Sequence, residues 1–369
     1  MKNILHIMDY AAPYRGNFIR SIQFLEKEVE SDGGHLIYLF PIKAKNLDWV
    51  ELLIKEGGSV YFIQNTFFFK KIVFTNIKLI RSIIRSEHIS IIHTHFMNYN
   101  YSLFLLKFLF YTRAKIIGHF HNHFLPPRNK YRKLKILITN FTYDLIIGVS
   151  EPVAISIKDA GIKTNKILCI YNALDFSRLD ICEQMSFSDD IKRKVIMMFG
   201  WPFHRKGVDI AIEAVSQLYM EKSNILLVIS LAGEKEVFEN EIINRLGQIP
   251  SWLSIIEPRD DVASYYNATD IFLSASREEG FSYALVEAAY CNPLLISSDI
   301  PAPVSLKIPY LFTYQTEAPK ELKNLIKTLL QMPIDQVFNI KKEQKIYVKR
   351  EYDLNEWAEK IKLCYSKDN

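Results

Sequence analysis

Paired cysteines are missing from this sequence. Its four (Cys169, Cys182, Cys291 and Cys364) are scattered and no CxxC occurs, which excludes a disulfide framework and a thiolate metal site and fits reduced thiols. Long apolar runs are missing too: the most apolar stretch, 103–111, is short and broken by Lys107, well under the roughly 20 residues of a membrane-spanning helix. Glycine is scarce, at 13 of 369 residues, with no low-complexity tract or internal repeat; that sets aside fibrous, solenoid and disordered chains. The opening MKNILHIMDY runs straight into a strand-like segment with Asp9 close behind. It lacks the apolar region and small-residue site of a secretory signal, so a cytoplasmic chain is expected. The last scarcity is local: between 61 and 140 the only acid is Glu87.

Against that single acid stand Lys70, Lys71, Lys78, Arg81, Arg85, Lys107, Arg113, Lys115, Arg128, Lys130, Arg132, Lys133 and Lys135, interleaved with Phe67, Phe68, Phe69, Phe74, Phe108 and Phe110. A helical wheel puts Val73, Ile77, Ile80 and Ile84 on one face and Lys71, Lys78, Arg81 and Arg85 on the other. A plain solvated face is the bland reading. Cations mixed with aromatic rings suit an anionic membrane surface or a phosphate-bearing acceptor better, and nucleic acid is not expected.

Length allows two domains of ordinary size. Just under half of the residues are apolar and about a quarter charged, the balance of a globular chain. Short apolar strands alternate with helical stretches, the mark of parallel α/β sheets. Strands are expected at 3–8, 36–40, 60–63, 89–93, 115–119, 145–149 and 167–170. After a polar segment, 177–193, the alternation restarts at 194–199, 225–230, 254–256, 271–274 and 294–297. The expected organisation is a first doubly wound domain over 1–176, rejoined by a helix within 347–369, a linker over 177–193, and a second domain over 194–346. Ligands of such sheets bind beyond the carboxyl ends of the strands, so a cleft between the two domains is the expected site.

Two segments carry chemistry. In FGWPFHRKGVDIAIEAV, residues 199–215, a strand ends, Gly200 allows a tight turn, and Arg205 and Lys206 precede Gly207 and an amphipathic helix. Two cations and a helix N-terminus make a site for a diphosphate. In SREEGFSYALVEAAYCNPLLISSD, residues 276–299, Glu279 precedes the turn at Gly280 while Glu287 lies within the next helix. Phe281, Ser282 and Tyr283 supply its first amides. Glu287 is flanked by Leu285, Val286, Ala288 and Ala289, and a carboxylate in such a run needs a partner.

In this order the two segments resemble the retaining GT-B glycosyltransferases of the group 1 family, glycosyltransferase family four, including its exopolysaccharide and capsule enzymes. The resemblance extends to 149–175, to DDVASYYNATDIFLSASREEGF and to the final EYDLNEWAEKIKLCYSK. It implies two Rossmann-like domains. Arg205 and Lys206 would bind the donor diphosphate, Glu279 would meet the donor sugar, and Glu287 would hold the ribose. Gly16, in YAAPYRGNF, maps onto the glycine loop after the first strand, and His121, in KIIGHFHNHF, onto a histidine beside the donor sugar. His95, His119 and Asn122 are acceptor-side candidates. Where the family commonly has a glycine before its base-binding loop, this chain has Glu257, Pro258 and Arg259; Arg259 is retained as a donor contact.

His119, His121 and His123 alternate, with His93 and His95 alike in pattern. A metal cluster is conceivable there, but no carboxylate or thiolate accompanies the histidines, and no Asp-x-Asp occurs in the chain. No metal and no cofactor are expected. The implied activity is metal-independent transfer of a hexosyl group from a nucleotide donor, UDP-sugar by default, to a saccharide or lipid-linked acceptor, with retained configuration. A cytoplasmic setting follows, with peripheral contact at the inner membrane face left open. Two rivals remain: a nucleotide-sugar epimerase on the same fold, and a catalytically silent scaffold.

Overall fold

The computed structural model describes residues 2–64, 70–96, 99–110, 112–126, 130–188, 190, 193–291 and 293–366, with backbone alone for 70–72. Phe67, Phe68, Phe69 and Arg128 of the basic, aromatic region lie outside the described residues, as do the side chains of Lys70 and Lys71. The chain divides into two compact units. Unit 1 is Met1–Ala173 with Leu354–Asn369, and unit 2 is Leu174–Asp353.

Unit 1 holds strands β1 (Asn3–Met8), β2 (His35–Pro41), β3 (Ser59–Ile63), β4 (Ile89–His95), β5 (Lys115–Phe120), β6 (Leu145–Gly148) and β7 (Ile167–Cys169). Among them run helices α1 (Gly16–Ser31), α2 (Asp48–Lys55), α3 (Lys70–Ser86), α4 (Asn100–Phe110), α5 (Arg132–Thr142) and α6 (Glu151–Asp159). The seven strands form one parallel sheet in the order β3-β2-β1-β4-β5-β6-β7, so the winding reverses between β1 and β4. Strands such as NILHIM and HLIYLF are buried almost end to end, as expected of a parallel sheet covered on both faces.

Unit 2 holds β8 (Lys194–Phe199), β9 (Ile225–Ser230), β10 (Leu253–Ile256), β11 (Ile271–Ser274), β12 (Leu294–Ser298) and β13 (Phe312–Tyr314). Its helices are α7 (Ser177–Asp180), α8 (Val208–Met220), α9 (Lys235–Leu246), α10 (Val262–Asn267), α11 (Tyr283–Tyr290), α12 (Pro301–Ser305), α13 (Pro319–Leu330) and α14 (Ile334–Glu351). The sheet order β10-β9-β8-β11-β12-β13 is again parallel, with its reversal between β8 and β11. The loops leaving those two strands carry Arg205, Lys206 and Glu279, and a reversal point is where such sheets leave a crevice.

The last helix, α15 (Leu354–Ser366), returns to unit 1. Leu354, Trp357, Ala358, Ile361, Cys364 and Tyr365 form its buried stripe, a helical spacing. They join Ile19, Ile22 and Leu25 of α1 in one core, and Lys362 pairs with Glu28 and Asp32 at 3.6 and 3.1 Å.

Three local expectations change. The single helix expected within 347–369 is broken at 352–353, where the Tyr352 carbonyl accepts from the Leu174 N–H at 3.1 Å. The polar segment over 177–193 opens with α7. In α3 the inner face carries Asn76, Ile77, Ile80 and Ile83, while Ile84 is only half-buried. Among the described residues, no helix is long and apolar enough to cross a membrane.

Candidate functional site

In unit 2 the loop between β8 and α8 is shaped by its two glycines. Gly207 has φ +65, and a Cβ there would meet the Ala275 carbonyl oxygen at 1.9 Å; neither a left-handed conformation nor that approach suits another residue. Gly200 is needed for space rather than for the turn expected of it, since its Cβ would press on Ile229 at 2.4 Å and on the Phe238 ring. Arg277, just beyond β11, fastens this loop. Its guanidinium donates to both Asp209 oxygens at 2.8 and 2.9 Å, to Glu317 and to the His204 carbonyl, and its N–H reaches the Arg205 carbonyl at 2.8 Å. Hydrogen bonds to both carboxylates push the Arg277 pKa further up, so the clamp is permanently charged.

That clamp brings Arg205, Lys206 and Glu279 together. The Lys206 ammonium and the Ser276 hydroxyl both donate to Oε1 of Glu279, the second at 2.8 Å. Arg205 is exposed, and among the described residues its guanidinium has no hydrogen bond. Gly280, Phe281 and Ser282 are buried, and Tyr283 opens α11. Among the described residues, the Ser282 side chain makes no cap hydrogen bond at that helix start and no acid lies in its first turn; the amide end of a helix carries partial positive charge.

Glu287, inside α11, is buried at 7% exposure. Arg178 of α7 donates to its Oε1 at 3.2 Å and the Tyr266 hydroxyl to its Oε2 at 2.8 Å. Burial, then the Glu287 charge, push the Tyr266 hydroxyl well up, so it stays a proton donor. Removing one member of such a buried set costs about 3–5 kcal/mol, because the others are left uncompensated. Arg259 is exposed and paired with Glu183 at 2.6 Å, with its guanidinium over the Tyr265 ring at 5.9 Å.

Unit 1 carries the other candidates. Gly16 opens α1 with φ +57, and the Tyr10 hydroxyl ties down the loop before it through the carbonyls of Tyr14 and Arg15, both at 3.1 Å. The histidines form a ladder on one sheet face. Register pairs His6 of β1 with His93 of β4, and His95 of β4 with His119 of β5. Alternate residues of a strand share a face, so His6, His93, His95, His119 and then His121 follow in contact. Ring centroids of successive members lie 4.4–5.1 Å apart. His123 takes no part among the described residues. Burial pushes all five pKa values down, to about 3 for His6 and His119. The five rings are therefore neutral at physiological pH. His95 and His119 are closed to solvent, His121 is half-buried and Asn122 is exposed.

Two family profiles match this chain: "Glycosyltransferase Family 4" over residues 51–178 and "Glycosyl transferases group 1" over 183–350. Between them they span most of both units. The chain belongs with the glycosyltransferases. A curated relative, the phosphatidylinositol N-acetylglucosaminyltransferase GPI3 subunit of Saccharomyces cerevisiae, is 25% identical over 81% of this chain and 68% of its own. The fold is that of GT-B glycosyltransferase structures. A glycosyltransferase from Rickettsia africae superposes with a TM-score of 0.82 at 20% identity, covering 99% of this chain and 97% of that one. Anabaena HepE, solved in complex with UDP and glucose, does so with 0.78 at 18% identity, over 99% and 100% of the two chains.

Several residues that organise this glycosyltransferase escape the sequence reading. Arg277 lies within the 276–299 segment but has no acid at helical spacing to mark it, because Asp209 of α8 and Glu317 of the turn after β13 reach it from elsewhere in the chain. Arg178 and Tyr266 are the partners that the apolar surroundings of Glu287 demanded, and only the fold names them. His6 was readable as a strand histidine, yet its place beside His93 depends on β1 lying next to β4.

Proposed function

We propose that the chain transfers a hexosyl group from a UDP-sugar to a saccharide or lipid-linked acceptor with retention of configuration, and does so without a metal at the donor. The observation that carries this is the Lys206–Glu279 pair beside exposed Arg205, on the loops that lead into α8 and α11. A diphosphate offers Lys206 a stronger partner than a carboxylate does, and binding would free Glu279 to accept from sugar hydroxyls. Arg205, Lys206 and the amides from Gly280 to Tyr283 then neutralise the charge that develops as the bond from the anomeric carbon to the phosphate oxygen breaks. The acceptor oxygen attacks the same face, and the departing phosphate oxygen takes its proton. Gly200 supports the donor loop by leaving room for Ile229 and Phe238 where β8 ends, Glu287 accepts from the ribose, and Arg259 is the contact nearest the base. In unit 1, Gly16 and His121 take the roles the family resemblance implies, and exposed Asn122 is the acceptor-side candidate. Buried His95 and His119 act behind His121.

The acceptor's lipid character has two supports. The yeast relative is named for phosphatidylinositol, and α3, α4 and α5 expose Phe74, Phe108, Leu109, Leu134 and Leu137 among the cations of the acid-poor region. Arg81 lies over the Phe110 ring at 4.5 Å. We read this face as a peripheral contact with an anionic membrane surface. The test supplies donor without acceptor, so that water takes the acceptor's place. Proton NMR of freshly released sugar is expected to show the anomer of the donor first; initial appearance of the opposite anomer would remove the retaining mechanism and the role given to the phosphate oxygen.

A further inference from the structure

The histidine ladder of unit 1 offers more than a polar lining. Five imidazoles on one buried face are costly to keep unless their nitrogens are satisfied, at about 1–3 kcal/mol for each unpaired group. Part of the ladder is satisfied. His6 Nδ1 meets His95 Nε2 at 3.1 Å, and His95 Nδ1 meets His121 Nε2 at 3.2 Å. The Tyr365 hydroxyl, brought by α15, lies 3.1 Å from His6 Nε2 and 2.7 Å from His93 Nδ1. Part is not: His93 Nε2 and both nitrogens of His119 are buried without a hydrogen-bond partner. His93 is wholly closed to solvent and His119 is 1% exposed.

We propose that His6, His93 and His95 bind a divalent first-row transition metal of the zinc class, with Tyr365 orienting two of the three rings. The three residues each present a ligand nitrogen within 4.8 Å of the others. Tetrahedral ligands at about 2.0–2.1 Å from zinc stand about 3.3 Å apart, and His6 Nδ1 and His95 Nε2 already stand at 3.1 Å. Imidazole is a donor that this class of ion takes readily. The outer partners also fit. A ligating histidine gives its other N–H to an oxygen, and the Tyr365 oxygen is in reach of the N–H groups of His6 Nε2 and His93 Nδ1, with a lone pair for each. His6 Nδ1, His93 Nε2 and His95 Nε2 are then the free lone pairs. Each ring keeps its single proton, so the ion enters without proton release. Burial keeps the rings neutral, the protonation state that coordination requires.

A consequence reaches the candidate catalytic histidine. With Nε2 of His95 given to the ion, its proton must sit on Nδ1, 3.2 Å from Nε2 of His121. His121 then accepts from His95 and carries its own proton on Nδ1. The ion would thus fix the tautomer of His121, and it takes no part in the leaving-group chemistry assigned to Arg205 and Lys206.

The test uses the full, untagged chain stripped with a chelator. It is dialysed against Zn²⁺ or Co²⁺ for elemental analysis, and the Co²⁺ form is read by visible absorption. Expected are one ion per chain and the intense visible bands of tetrahedral, nitrogen-bound cobalt. His6→Gln and His93→Gln should lose both, while His121→Asn keeps the ion. Failure of the folded wild type to take up either ion overturns the proposal, whatever the variants do. So does uptake that survives in a natively folded His6→Gln or that disappears in His121→Asn. Nucleotide binding to unit 2 is a separate readout, so loss of the metal site leaves the donor assignment standing.

Discussion

A methyl group at position 207 would sit 1.9 Å from the carbonyl oxygen of Ala275, and the residue's φ of +65 is left-handed. Gly207→Ala therefore carries a conformational cost of about 1–2 kcal/mol plus the displacement of backbone. The urea midpoint should fall accordingly, and nucleotide affinity should fall with it because the same loop carries Arg205 and Lys206. A second effect at this scale concerns protons. His6 and His119 ionise near 3 in the folded chain against 6.5 when free of it. As pH falls, the unfolded chain takes up these protons first. Their stabilising contribution is complete above about 6.5 and is lost progressively toward 3, with a slope of up to about 1.4 kcal/mol per pH unit for each ring. Urea midpoints measured at pH 7.5 and 5.5 should show a loss at the lower pH, and His119→Leu should shrink it. An unchanged midpoint would mean that the rings are not held neutral by burial.

At the scale of elements, the strands were legible because a parallel sheet buried on both faces writes nearly continuous apolar runs, as in β1, β8 and β9. The short β13 was missed: FTY is too brief and too polar to stand out, and it is held by pairing with β12. The end of α14 was missed because Tyr352 and Asp353 fit a helical pattern, and the stop comes from Leu174, far away in sequence. The same division applies to the candidate site. Arg205, Lys206, Glu279 and Glu287 could be read from local motifs, whereas their partners Arg277, Arg178 and Tyr266 could not, because long-range contacts leave no periodicity. The face of α3 to α5 carries its own prediction. With about 1 kcal/mol per Lys or Arg at an anionic surface, replacing Arg81, Arg132 and Lys133 by Glu should strip the chain from sedimenting phosphatidylglycerol vesicles. Binding by the parent chain should weaken as salt rises. Equal binding to neutral vesicles would contradict an electrostatic contact.

At the scale of the molecule, each unit has its own parallel sheet and its own buried core, and each reverses its winding once. The chain path, with α15 returning to unit 1, goes with a buried stripe on one short helix that shares a core with Ile19, Ile22 and Leu25 of α1. The reading of unit 2 as a nucleoside-diphosphate site turns on Arg205, Lys206 and Glu287. Calorimetric titration of UDP, GDP and ADP into the wild type, Lys206→Ala and Glu287→Gln tests it most directly, with thermal melting to confirm that each variant is folded. One diphosphate, expected to be UDP, should bind the wild type. Each folded variant should bind it about tenfold or more weakly, the loss of one charge-assisted hydrogen bond. Absence of binding by the wild type, or equal binding by both folded variants, would contradict that reading.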